Sequence, residues 1–334
     1  MELGLAHRPD DVQASQPAIR ISLSRVGVAG VEKVIRIAPA DGGAPKLFSA
    51  RLDCFVDLGP AQRGAHMSRF EEVVNDAIGD VVLTQTAFRA EQLARRIAER
   101  VREGQEARRA EVTISAQYPE ERSAPVSGIK TQEIFTLHGS ASATAGGTRQ
   151  ITGVTAQGIT ACPRAQRLVA DAAVERLHAL GFSRQDIGRI LDAVPVATHN
   201  QRGLGTLCIG ACEGDDTEID ALTLVDIVEG SMSSAIYELM KRSDEAAVVE
   251  RAHRRARSAE DCVREMLRGV VERFADLHGD HFVLARQENL ETVHAHGVVA
   301  ERCGLLSEIR AELSTGARVS RHTSREEWLD AGET

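Results

Sequence analysis

Aromatic residues make up only 3% of the 334-residue chain, with one Trp, two Tyr and eight Phe. That scarcity argues against an aromatic platform for stacking single-stranded nucleic acid. Positive charge is also in deficit: 40 Lys and Arg face 49 Asp and Glu, a net of −9. A general nucleic-acid or anionic-membrane binder needs the opposite balance, so neither partner is expected. A local pocket of Arg and Lys for a phosphorylated substrate stays open. No run approaches the roughly 18 apolar residues of a membrane-spanning helix. Met1 to Pro17 carries His7, Arg8, Asp10 and Asp11 with no apolar centre, unlike a secretory signal. The six cysteines (Cys54, Cys162, Cys208, Cys212, Cys262, Cys303) lack the density and spacing of a disulfide framework. A reduced cytoplasm is the expected compartment. His-Glu-x-x-His, the Walker A loop and a full Gly-x-Gly-x-x-Gly are missing, and Cys208 and Cys212 have no second pair for a zinc knuckle.

What is present, 43% apolar and 27% charged residues, is the balance of a globular protein. Ile19, Ile21 and Leu23 alternate with polar residues, predicting a half-buried strand. A turn at Gly27 and Gly30 follows, then an extended stretch through Val34, Ile35 and Ile37. Leu52, Cys54 and Val56 suit a second strand closed by Gly59-Pro60. Helical spacing links Phe70, Val73, Val74 and Ile78, and again Phe88, Leu93, Ile97 and Val101. Alternation returns at Val112 to Tyr118 and at Ile129 to Leu137.

In the second half, Ile151 to Thr160 reads as a strand and Val169 to Leu180 as a helix stopped by Gly181. Ser183 and Asp186 cap a short helix. Leu204 to Ile209 and Ile219 to Val228 read as extended or mixed. Ser258 caps a helix with the stripe Val263, Leu267, Val270, Phe274 and Leu277. His281 to Ala285 opens another strand, and the polar tail from Thr315 is expected to be mobile. Two passes of strands and helices predict an α+β protein with an internal duplication.

Polar clusters interrupt this pattern: Gly64 to Phe70, Thr160 to Pro163, Thr198 to Gly203, Lys241 to Glu245 and Glu288 to His296. Each has a bland reading. His66 at a loop–helix junction is most simply a cap, Cys162 before a proline a small buried residue, and Glu245 a solvated carboxylate. Glu260 in a first helical turn is favoured by the helix dipole alone. His294 and His296 would share one face of a strand, a geometry that suits metal ligation. Taken together, a thiol, imidazoles and carboxylates can assemble a mixed site for a divalent transition metal, and such a metal turns water into a nucleophile near neutral pH.

These segments resemble the type IB GTP cyclohydrolases. Gly64 to Phe70 is similar to that family's Gly-x-His-Met-Ser-Arg-Phe, Thr160 to Pro163 to its Cys-Pro segment, and His199 to Arg202 to its His-Asn-Gln-Arg. Lys241 to Glu245 resembles Lys-Arg-x-Asp-Glu, and Glu291 to His296 resembles Glu-Ser-x-His-x-His, with Thr292 for the serine. The matches run in order from about residue 18 to residue 300. The resemblance implies a tunnelling fold of two tandem ββααββ modules, with antiparallel sheets and helices on one face. Expected boundaries are 1–17 for an extension, 18–147 and 148–314 for the modules, and 315–334 for the tail. It implies GTP as substrate, a homo-oligomer (dimer or tetramer) with active sites near subunit interfaces, and a divalent metal (Zn, Mn or Fe(II)).

By position, Cys162, Glu245 and His294 would be metal ligands, with His199 as ligand or proton carrier and His66 as a further acid–base group. Glu260 would anchor the guanine edge, and Arg69, Arg202, Lys241 and Arg242 would contact phosphates. The family often has Cys-Pro-Cys, whereas this chain has Cys162-Pro163-Arg164. The long segment between Cys162 and His199 resembles the archaeal methanopterin branch, which makes a cyclic phosphate. The first expectation for the product is nevertheless 7,8-dihydroneopterin triphosphate, the entry to pterin and folate synthesis. The 2',3'-cyclic phosphate is the alternative. A non-catalytic purine- or pterin-binding relic of the same fold, and a related reductase or aldolase, are the rivals from other classes.

Overall fold

The computed structural model describes residues 16–37, 46–84, 89–212, 214–215 and 217–331. Among them are nine strands and nine helices. In chain order they begin β1 (Leu23–Ile37), β2 (Lys46–Leu58), α1 (Met67–Thr84), α2 (Ala90–Gly104), β3 (Ala110–Ser123), β4 (Lys130–Thr144) and β5 (Gly147–Ala161). They continue α3 (Pro163–Ala179), α4 (Arg184–Ala193), β6 (Asn200–Ala211), α5 (Ala221–Ser231), β7 (Ser234–Ala235), α6 (Arg242–Arg254) and α7 (Ala259–Arg273). The last are β8 (Phe282–Leu290), β9 (Val298–Leu305), α8 (Leu306–Thr315) and α9 (Arg325–Asp330). The chain divides into two compact units. No helix among the described residues is long and apolar enough to cross a membrane.

The first unit comprises Met1–Ala116, Gly139–Gln150 and Leu329–Thr334. Its framework is the antiparallel run β1–β2–β3, in register at Val31↔Leu52 and Leu52↔Ile114. Alternate residues of β2, from Phe48 to Leu58, are buried, as are Ala110, Val112, Ile114 and Ala116 of β3. This is the period of a half-buried strand. Phe70, Val74 and Ala77 of α1 are buried. Leu93, Ile97 and Val101 of α2 are buried at helical spacing. Phe88, expected in that stripe, lies outside the described residues.

The turn expected at Gly27 and Gly30 does not form. Both glycines lie inside one strand: Gly27 stands in register opposite Phe55, and Gly30 falls in the register shift between Val28 and Val31. A Cβ at Gly27 would lie 2.0 Å from the Cys54 carbonyl oxygen, so the glycine permits close approach of the two strands. Gly30 has φ +69 and donates its N–H to Asp53 at 2.6 Å. Gly30 is thus a bulge position rather than a chain reversal. Ile19 and Ile21 precede the strand and are exposed.

The second unit comprises Gln117–His138 and Ile151–Trp328. Here β6 pairs with β8 (Leu207↔Ala285) and β8 with β9 (Leu284↔Cys303), both antiparallel, while β7 adds to β5 (Gly158↔Ala235). Two helices complete the core. Leu224, Val225, Ile227 and Val228 of α5 and Cys262, Val263, Met266, Leu267 and Val270 of α7 are all buried. Each large aliphatic side chain so buried contributes roughly 1.5–3 kcal/mol.

Three local expectations are corrected in this unit. Ile219 to Val228, read as extended or mixed, is mostly α5. Its start is set by Asp220, whose carboxylate accepts from the amides of Leu222 and Thr223, and this N-cap outweighs the β-branched content. His294 and His296 do not share a strand. They sit in the irregular link between β8 and β9, exposed, with rings stacked at 5.2 Å. The tail from Thr315 returns to the core: Trp328 is 3% exposed, stacks on Phe282 at 5.6 Å and donates Nε1–H to the Asp280 carbonyl at 3.1 Å.

Candidate active site

The Thr160–Pro163 and Thr198–Arg202 segments are brought together. β5 ends at Ala161, and Cys162 becomes the N-cap of α3, with Pro163 at the first helical position where its missing N–H costs nothing. The Cys162 amide donates to the His199 carbonyl at 3.1 Å. Thr198 Oγ1 donates to the Cys162 carbonyl at 2.8 Å. The thiol, half-buried and free of any disulfide, accepts from the Ala165 amide at 3.4 Å.

His199 immediately precedes β6, with its side chain 17% exposed. Its Nδ1 lies 3.1 Å from Gln201 Oε1 and 3.7 Å from Glu291 Oε2. The Glu291 side chain is only 7% exposed. Gln201 is buried and donates Nε2–H to Thr160 Oγ1 at 3.0 Å, and Thr160 is fully buried. A hydrogen-bonded line therefore runs from β5 through β6 to the imidazole.

The Lys241–Glu245 segment forms the N-terminus of α6. Its anchor is Asp244, which is fully buried. One carboxylate oxygen accepts from the amides of Val126 and Ser127, each at 2.8 Å. The other accepts from Ser127 Oγ at 2.6 Å and from the Lys241 amide at 2.9 Å. Burial alone would raise its pKa, but the donations from Ser127, Lys241 and Val126 outweigh it and hold the carboxyl well below the usual range. The effect is to fix the β3–β4 turn to the start of α6 while Lys241, Arg242 and Glu245 stay exposed.

Glu260 is exposed in the first turn of α7, where the Ser258 hydroxyl and its own backbone N–H lower its pKa. His66 and Arg69 belong to the first unit. The His66 backbone exchanges two hydrogen bonds with the Gln105 side chain, at 3.0 and 2.8 Å, and Arg69 donates to the Gly104 carbonyl at 2.8 Å. Arg202 donates to Gln157 at 3.0 Å and lines a cavity of about 780 Å³ together with Glu133, Glu229, Glu238 and Tyr237. Burial pushes Glu229 up to about 7. A second cavity, about 580 Å³, opens beside Pro163 and is bounded by Gln166, Arg167, Leu191, His253 and Arg254.

The donor chemistry of Cys162, His199, Glu245 and His294 suits a divalent transition metal. Among the described residues, however, no group of three or more His, Cys, Asp or Glu side chains is gathered to hold one ion. One chain brings together Cys162 with His199, and His199 with Glu291. The roles of Gln201, Thr160 and Asp244 went unassigned in the sequence: all three lie in the quoted segments, but only the hydrogen-bond pattern distinguishes them from neighbouring polar residues.

The profile of the type I GTP cyclohydrolase folE2 family matches residues 10–300. GTP cyclohydrolase MptA of Methanococcus aeolicus is 40% identical over 309 residues, covering 91% of this chain and 99% of that protein. GTP cyclohydrolase MptA of Methanosarcina mazei is 39% identical over 312 residues, covering 91% and 97%. Among solved structures, uricase from Arthrobacter globiformis is 9% identical, with a TM-score of 0.48 over 89% of this chain and 96% of that one.

Proposed function

Because the chain belongs to the type I GTP cyclohydrolase folE2 family, and is thus a GTP cyclohydrolase, we propose that its product is 7,8-dihydroneopterin 2',3'-cyclic phosphate, made for a methanopterin-type pathway. The observation that carries this reading is the identity of about 40% to proteins named MptA along almost their whole length. It replaces the triphosphate as first choice. The helical segment α3–α4 between Cys162 and His199 supports it, being the feature already associated with the archaeal branch.

In this reading one water adds at C8 of the purine and opens the imidazole ring. A second water releases formate. The ribose carbons rearrange, and the pyrazine ring closes with loss of water. The 2'-hydroxyl of the pterin's own three-carbon chain, a former ribose hydroxyl, then gives up its proton and attacks the α-phosphorus, forming the cyclic diester and expelling pyrophosphate. His199 and His66 exchange protons in these steps. Lys241 and Arg242, exposed at the anchored end of α6, receive the phosphates with Arg69 and Arg202. Glu260 accepts from the adjacent N–H donors of guanine.

The proposal keeps a divalent metal on Cys162, Glu245 and His294, with His199 beside it; bound there, it would supply an activated water. Since one chain does not gather these donors among its described residues, the set is proposed to close where copies meet in a dimer or tetramer. A tunnelling fold of two ββααββ modules accords with the element order β1-β2-α1-α2-β3-β4 of the first half.

The test is phosphorus NMR of protein incubated with GTP in the absence of phosphatase. Stoichiometric pyrophosphate and a cyclic phosphodiester signal are expected. An intact triphosphate chain on the pterin would return the product to dihydroneopterin triphosphate.

A further inference from the structure

We infer that Gln201, anchored on Thr160, is a positioning residue that holds His199 in its Nδ1–H tautomer and so leaves Nε2 as the bare nitrogen facing the reaction. Gln201 Nε2 donates to Thr160 Oγ1 at 3.0 Å, which directs Oε1 at His199 Nδ1, 3.1 Å away. A carbonyl oxygen only accepts, so Nδ1 carries the hydrogen. Glu291 favours the same tautomer, but from beyond hydrogen-bond distance, so it supports Gln201 without replacing it. Its Oε2 lies 3.7 Å from the same nitrogen, on a side chain 7% exposed. Turning the amide over would set an NH₂ donor against a bare Nδ1 and leave the carboxylate facing a lone pair.

Free neutral imidazole in water favours the other tautomer, so this one has to be held. The holding groups are well placed to do so. Thr160 is fully buried, Gln201 is 6% exposed, and both lie on strands rather than loops. The Cys162 amide, bonded to the His199 carbonyl, fixes the backbone beneath the ring. Either task given to His199 above, accepting a proton or donating a lone pair, requires a bare nitrogen, and this arrangement assigns it to Nε2.

The inference rests on the proposed role of His199 but is tested apart from it. Two-bond nitrogen–proton NMR spectra of histidine-labelled full-length protein identify the tautomer directly. They are recorded in mildly alkaline buffer, on protein as isolated and again after chelator, so that a metal bond is not the cause. His199→Gln assigns the signals. The wild-type ring is expected as Nδ1–H in both samples. Gln201→Leu is expected to move His199 towards Nε2–H and to lower kcat with GTP by on the order of 10–100-fold, with KM changed less. Gln201→Glu, which still offers an acceptor to His199 and to the Thr160 hydroxyl, is expected to restore the tautomer and most of kcat. An Nε2–H ring in the wild type, or an unchanged ring in Gln201→Leu, would overturn the inference whatever the GTP assay gives. Should Gln201→Leu not fold, the wild-type spectrum still decides. Wild-type protein that shows the Nδ1–H ring but does not turn over GTP would instead remove the catalytic reading alone.

Discussion

The amide of Cys162 donates to the carbonyl of His199 at 3.1 Å, joining the end of β5 to the start of β6 across the whole α3–α4 segment. The thiol and the imidazole therefore share one backbone frame. In this frame Cys162 has two separable duties: its sulfur accepts from the Ala165 amide as a helix cap, and it is the proposed thiolate ligand.

Substitution separates these duties. Cys162→Ala removes both and should lose bound metal, formate release and about 1 kcal/mol of stability. Cys162→Ser keeps a capping oxygen and should keep the stability, while still losing metal and ring opening. Metal analysis, a formate assay and urea unfolding of the two variants provide the check. Normal metal content and turnover in Cys162→Ala would remove Cys162 from the site.

Glu260 and Glu291 present the two candidate carboxylates in contrasting settings. Glu260 is exposed at the tip of α7, whereas Glu291 is nearly buried against His199. Glu260→Gln should therefore raise KM for GTP, by an amount corresponding to about 1–3 kcal/mol for a mismatched hydrogen bond. Glu291→Gln should act chiefly on kcat through the imidazole. If steady-state kinetics place the KM effect on Glu291 and none on Glu260, the guanine anchor moves to Glu291.

The sequence was informative where periodicity and local caps dominate. The alternation of Leu52, Cys54 and Val56 and the Ser258 cap of α7 both reappear in the structure. It was uninformative where distant partners decide. Gly27 looks like a turn residue until the Cys54 carbonyl is found against it. The segment after Ile219 looks extended until Asp220 is seen capping it. Asp244 is indistinguishable from a solvated acid until its four donors, two residues of them on a turn more than a hundred positions away, are in view. The motifs located the candidate residues, but the line Thr160–Gln201–His199 is a property of strand register.

Trp328 is the clearest case of a tertiary contact hidden in a polar segment. It contributes a stacked ring against Phe282 and a hydrogen bond to the Asp280 carbonyl. Trp328→Ala should cost about 3–5 kcal/mol, the range for removing a buried large aromatic. Urea unfolding measures it. A loss below about 0.5 kcal/mol, the scale of an ordinary surface substitution, would mean that the tail does not pack as described.

Glu229 gives a dependence on pH whose sign follows from its surroundings. Burial raises its pKa, Arg122 opposes this, and Asp226 and Glu133 reinforce it, leaving a folded value of about 7 against an ordinary 4.5. Below the ordinary value both folded and unfolded chains hold the proton, and the group contributes nothing. Between the two values the folded chain keeps a proton that the unfolded chain has released, so stability falls as pH rises. Above about 7 both forms are ionised and the whole penalty, on the order of 3 kcal/mol, is in place. Glu229→Gln cannot titrate and can still accept from Arg122, which lies 3.4 Å from the carboxylate in the native chain. Its stability relative to wild type should therefore rise between about pH 5 and about pH 8, by about 2–3 kcal/mol. Urea unfolding of both proteins at the two pH values measures the change. A difference that stays constant across the interval would show that Glu229 is ionised in the folded chain throughout, with Arg122 overriding its burial.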